Sequence, residues 1–141
     1  MYETPLRIAI FLALCGFIAG CNNRDVTLVP VSGRVLIDGQ PVPCGSLQVL
    51  PAGYRPAFGK LDENGRFELT THTAGDGCVP GKHKVTITAM EMQPNSRQKW
   101  YAPKKYSNPS MSNVMIEITE ETADLEIDLT WDGGKPFVES F

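Results

Sequence analysis

The sequence lacks several things, and each absence excludes a class of protein. It has no excess of positive charge. Thirteen Lys and Arg stand against sixteen Asp and Glu, a net charge of -3. A nucleic-acid binder normally carries a basic excess or stripe, so no nucleic-acid partner is expected. Histidine is scarce: His72 and His83 are the only two. A zinc site needs three or four ligands at suitable spacing, so no metal or other cofactor is expected. No Gly-x-Ser-x-Gly elbow occurs, and no Cys/His pair has a clear orienting partner, so the chain reads as a non-enzyme. No apolar run reaches the roughly 20 residues that a helix needs to cross a bilayer. Beyond Cys21 no stretch carries a helical period.

What is present is turn chemistry and alternation. The length, 141 residues, suits one domain. A hydrophobic content of 42% with 21% charged residues supports a globular core. Thirteen Gly and eleven Pro favour short strands joined by turns over a helical bundle.

The N-terminus reads as an address. Arg7 and the amino group, diluted by Glu3, precede a twelve-residue apolar run from Ile8 to Ala19, the length of a signal-peptide core. The run stops at Ile18-Ala19-Gly20-Cys21, followed by polar Asn22-Asn23-Arg24-Asp25. That stop resembles the lipobox of bacterial lipoproteins. The resemblance implies cleavage before Cys21 and a thioether-linked diacylglycerol on its sulfur. Small residues at Ala19 and Gly20 let a peptidase approach the backbone, and a thiol is the side chain suited to alkylation. Each buried acyl methylene contributes about 0.8 kcal/mol, so multiple chains anchor firmly. In proteobacterial lipoproteins an Asp after the cysteine signals inner-membrane retention. Asn22 stands there instead, which favours the outer membrane.

The expected organisation is a signal peptide over 1–20, the lipidated cysteine and a tether over 21–30, a domain over 31–130 and a tail over 131–141. Within the domain the pattern is period two. Val31, Gly33, Val35 and Ile37 share one face, with Leu36 off parity. Inward positions follow at Leu47 and Val49, Phe67 and Leu69, Val85, Ile87 and Ala89, then Val114, Ile116 and Ile118, and last Leu125, Ile127 and Leu129. A seventh strand is expected from Phe58 to Leu61. One wet and one dry face per strand predicts an all-β fold, a single antiparallel seven-stranded β-sandwich. The strands are shorter than the roughly 9–11 residues of a membrane barrel.

Three stretches are familiar together: Val31-Ser32-Gly33-Arg34-Val35 running into Asp38-Gly39-Gln40-Pro41-Val42; Gly59 through Leu69; and Gly75-Asp76-Gly77-Cys78-Val79-Pro80-Gly81 running into Ile87. Pro103 through Pro109 fits the same group. In this the chain resembles the small planctomycete lipoproteins that carry a carboxypeptidase-regulatory-like, transthyretin-like domain. The resemblance covers about Val31 to Leu129 and implies a prealbumin-like sandwich, but no activity. Transthyretin-like hydroxyisourate hydrolases carry paired histidines and a Tyr-Arg-Gly-Ser terminus, whereas this chain reads Glu139-Ser140-Phe141.

Four features are candidates for function. Cys44 and Cys78, two thiols in an exported domain, suggest a disulfide; the other reading is two separate, partly buried thiols. Asp62-Glu63-Asn64-Gly65 reads as a turn, since Arg66 stands where a calcium loop wants an oxygen. The acidic residues Glu117, Glu120, Glu121, Asp124, Glu126 and Asp128 crowd the last predicted hairpin. They offer a cationic partner a docking face, or simply blunt an edge strand. The long loop from Glu91 to Asn113 carries Trp100, Tyr101 and Tyr106 among cations. Those rings either bind a ligand or cover an open end of the sandwich.

The expectation is therefore a non-catalytic lipoprotein, anchored to the membrane through Cys21, whose sandwich is a binding or structural module of the cell envelope. Its partner would be an envelope protein or a glycan. A carbohydrate-binding module using Trp100 and Tyr101 is the first alternative, and a small transthyretin-like hydrolase a distant one.

Overall fold

The structure, a computed structural model, describes residues 26–141. The expected signal peptide, Cys21 and the first part of the tether lie outside the described residues.

The fold is all-β. Its strands are β1 (Val31–Ile37), β2 (Gln40–Pro41), β3 (Ser46–Leu50), β4 (Ala57–Lys60), β5 (Arg66–Glu68), β6 (Gly81–Thr88), β7 (Met90–Gln93), β8 (Arg97–Trp100), β9 (Val114–Ile118), β10 (Thr122–Leu129) and β11 (Phe137–Ser140). A 3-10 turn covers Lys104–Ser107. All seven expected strands occur, but the described residues hold eleven. Gln40–Pro41 pairs briefly with β1 across the Asp38-Gly39 turn, where both residues have positive φ, as a tight hairpin requires. The segment read as a long loop holds β7 and β8, which turn back through Asn95 and Ser96 at positive φ. The segment read as a tail holds β11. These strands are mostly polar on both faces, so they show no dry period in the sequence.

Three sheets result. In the first, β10 lies beside β1, while β2 and β5 share the other side of β1. The second runs β4-β3-β6-β9 and the third β11-β8-β7, both wholly antiparallel. One pair departs from the expected antiparallel arrangement: β1 and β10 are parallel, with Val35 opposite Ile127 and Ile37 opposite Leu129. No tight turn joins these two strands. The whole second sheet intervenes between them, as a parallel crossover demands.

The inward positions read from the sequence build one core. Val31, Val35, Ile37, Phe67, Ile127 and Leu129 of the first sheet cluster with Leu47, Val49, Ala57, Val85, Ile87, Ile116 and Ile118 of the second. Each such side chain contributes about 1.5–3 kcal/mol when fully buried. Leu36, off parity, is buried as well, but outside this cluster.

Two glycines permit close backbone approaches. The β1–β10 register slips between Val31 and Gly33, where β10 carries an extra residue. A Cβ on Gly33 would fall 1.9 Å from the Leu125 carbonyl oxygen. Gly77, at φ +86, lies so close to Val29 that a Cβ would fall 1.8 Å from its carbonyl oxygen; this contact accompanies the isolated Val29–Cys78 bridge that ties the start of the domain to the segment leading into β6.

The turns match their residues. Asp62 Oδ1 accepts the backbone N–H groups of Asn64 and Arg66, each at 2.8 Å, so the carboxylate closes the turn before β5. Asp76 does more. Its two oxygens accept the N–H groups of Thr71, His72 and Thr73 at 2.7 to 2.9 Å. Burial works to raise its carboxyl pKa, but these three bonds together hold it below the usual range.

Gly33→Ala should lower the unfolding free energy by about 2 kcal/mol or more, read as a fall in urea midpoint. Gly39→Ala, with nothing within 4 Å of its Cβ position, should cost only about 1 kcal/mol of positive-φ strain. Equal losses would show that the β1–β10 approach is not tight. Asp76→Asn should cost about 1 kcal/mol at pH 7. Because the folded carboxyl titrates low, its contribution is complete above its ordinary value of 3.8 and is lost as pH falls below it. The gap between wild type and variant should therefore be constant above pH 3.8 and narrow in urea titrations as pH falls below it.

Candidate functional site

The aromatics of the 91–113 segment face inward and join the third sheet to the body. Trp100 ends β8 and stacks on Phe137 of β11, with centroids 6.3 Å apart and planes at 13°. Trp131 meets the same Phe137 edge-on at 6.4 Å. The Trp100 indole N–H donates to Glu139 Oε1 at 2.8 Å, and Lys104 Nζ donates to Glu139 Oε2 at 2.6 Å. That ammonium also sits 5.2 Å from the Trp100 ring centroid. The Lys104 bond, with the indole N–H, holds the Glu139 carboxyl below its usual range. Tyr106, in the 3-10 turn, donates its hydroxyl to the Thr130 carbonyl and accepts the Thr130 N–H, both at 3.1 Å. Tyr101 is half-buried, with its hydroxyl on Glu91 and the Lys99 ammonium 4.7 Å from its ring centroid. Trp100 is 8% and Tyr106 6% exposed. Two of the three rings are thus buried in packing and hydrogen bonds, and Tyr101 is partly open.

The two thiols are apart and unbonded, which corrects the expected disulfide. Cys78 precedes the N-terminal end of β6. Cys44 precedes Gly45, which lies against Thr88 and Ala89 at the other end of that strand. Eight strand residues at about 3.3 Å each put the ends roughly 25 Å apart, whereas a disulfide needs Cα atoms within about 7 Å. Burial pushes the Cys78 thiol up to about 11. Burial, and then the Glu91 charge, raises Cys44.

The histidines do not meet. His83 is buried beside Ile116, with Nε2 2.7 Å from the Val79 carbonyl and Nδ1 without a partner. His72 contributes its backbone to the Asp76 turn. Among the described residues no three His, Cys, Asp or Glu side chains group as metal ligands.

Contrary to expectation, the acidic residues do not lie on a hairpin. β9 and β10 follow each other in the chain but belong to different sheets, and each is the outermost strand of its own. Asp124, Glu126 and Asp128 line the exposed side of β10. Glu126 takes a forked bond from Arg34, at 3.0 and 2.7 Å. Glu117 lies 4.0 Å from Lys82. Glu120, Glu121, Asp124 and Asp128 make no ion pair among the described residues.

Between the two strand edges runs a groove of about 430 Å³, lined by Val114, Met115 and Ile116 from β9 and by Glu126, Ile127 and Asp128 from β10, and also by Lys105, which pairs with Asp132, and Tyr106. Met111 and Met115, on its lining, are 56% and 58% exposed. No reading of the sequence reached this groove. One signal was there: Met115 is apolar at a wet parity position between Val114 and Ile116.

Comparisons with protein-family models, with curated proteins and with solved structures find no match to this chain.

In the folded protein at pH 8, iodoacetamide should modify Cys44 slowly and spare Cys78; both should react in urea. Peptide mapping reads the outcome. A Cys44–Cys78 cross-linked peptide before reduction would contradict the placement of the two thiols.

Proposed function

We propose that this protein is a lipoprotein of the cell envelope whose β domain is a non-catalytic binding module. The anchor rests on the apolar run ending in Ile18-Ala19-Gly20-Cys21. Among the described residues the first backbone bridge is at Val29, eight residues past Cys21. Eight residues span at most about 28 Å when extended, so the module would sit at the membrane surface. Asn22 after the cysteine supports the outer membrane. Two four-stranded sheets with a common core support a prealbumin-like sandwich in which β1, β3, β4, β5, β6, β9 and β10 are the seven framework strands. That arrangement suits the resemblance to planctomycete lipoproteins with a carboxypeptidase-regulatory-like domain.

The observation that carries the binding reading, over a purely structural one, is the groove between β9 and β10 with its exposed methionines. Apolar surface left open beside unpaired strand edges is where partners dock. The glycan alternative gains nothing from Trp100, whose ring is buried, and would rest on the half-buried Tyr101 alone. The hydrolase alternative finds no histidine pair.

Intact mass of the protein purified from native membranes tests the anchor. The expected species begins at Cys21 and carries acyl chains, and Cys21→Ala should abolish partition into the detergent phase. An unlipidated mass beginning elsewhere would end the lipoprotein reading.

A further inference from the structure

We infer that the free edge of β10 accepts an extended peptide as a further strand, and that this peptide is basic on one face and apolar on the other. The inference rests on the binding-module reading and names the partner chemistry of the same groove.

β10 is eight residues long and, among the described residues, pairs with β1 on one side only. Its open edge is therefore roughly 26 Å of backbone. A strand laid along it would share its two faces, because neighbouring strands in a sheet keep side chains in register above and below. On the outer face the neighbours are Asp124, Glu126 and Asp128, of which only Glu126 has a cation among the described residues. Every second side chain of the incoming strand would therefore be Lys or Arg. On the inner face the neighbours are Leu125 and Ile127, and the groove opposite is walled by Val114, Met115 and Ile116. The intervening side chains would be apolar. Methionine fits such a role, since its flexible thioether adapts to varied apolar partners.

The same charges exclude the simplest rival occupant. A second copy offering its own β10 would set carboxylates opposite carboxylates, which destabilises cross-strand pairs. The row of acids thus deters self-pairing and selects a partner of opposite charge.

The test uses the full-length lipoprotein in non-ionic detergent and three fluorescein-labelled peptides. One alternates Lys and Val, one has the same composition with its lysines in a block, and one alternates Glu and Val. Only the first should raise fluorescence anisotropy, with affinity falling as salt rises. In hydrogen exchange it should protect amides of β10 and leave the β4 edge unchanged. Asp124→Lys combined with Asp128→Lys, both at exposed positions, should weaken binding about tenfold. Absence of binding, equal binding of the blocked or Glu peptide, or indifference to the charge reversal would overturn the proposal. So would a concentration-dependent dimer of the free protein with β10 protected, which would give the edge to a second copy. Peptide binding to a protein whose Cys21 proves unmodified would end the anchor reading and leave this one standing.

Discussion

The first sheet closes where β10 meets β1 at Gly33. Two strands almost a hundred residues apart run side by side and parallel there, and the Leu125 carbonyl lies where any side chain at 33 would stand. The contact sets the placement of everything after β9. Asp38 holds its far end, donating its N–H to the Leu129 carbonyl while its carboxylate accepts the Trp131 N–H. Tyr106 clasps Thr130 from the other side. With β10 committed to β1, β9 is left as the border of the opposite sheet, and the gap between them is the groove. Had β9 and β10 paired as a hairpin, as their adjacency suggests, neither edge would be free.

The third sheet depends on a different kind of interaction. β7, β8 and β11 contribute no residue to the main core cluster, and beyond Trp100 and Phe137 they are largely exposed or half-exposed. They are held by a small cluster in which one lysine, Lys104, serves a carboxylate and two aromatic rings at once. Exposed ion pairs taken singly contribute little. Here the Glu139 carboxylate also receives the indole N–H of a mostly buried Trp100, which ties the charge to apolar packing. The 91–113 segment is thus a structural annex, and its last residues, Lys105 to Asn113, contribute to the lining of the groove between β9 and β10.

Much of the main fold was legible because its signal is local. Alternation at Val31–Ile37, Leu47–Val49, Val85–Ala89 and Ile127–Leu129 reports one buried face per strand. Asp38-Gly39 and Asp62 through Gly65 report turns by backbone chemistry. The annex was not legible, since Met90 and Met92 alternate with Glu91 and Gln93 for only four residues, β8 has no apolar residue before Trp100, and pairing with a later strand leaves no mark in either segment. The thiols misled because composition says only that cysteines exist, while distance decides whether they bond. The acidic run was visible residue by residue, but its meaning turned on which strand β10 chose as neighbour.

The sequence by itself determined the all-β character, the inward residues and the tight turns, because each depends on parity or φ over a few neighbouring residues. Tertiary structure alone decided the parallel pairing of β1 with β10, the separation of Cys44 from Cys78 along the length of β6, and the inward turn of Trp100 and Tyr106. It alone opened the groove beside the acids. Each of these depends on contacts between segments far apart in the chain, and no local pattern carries a distance.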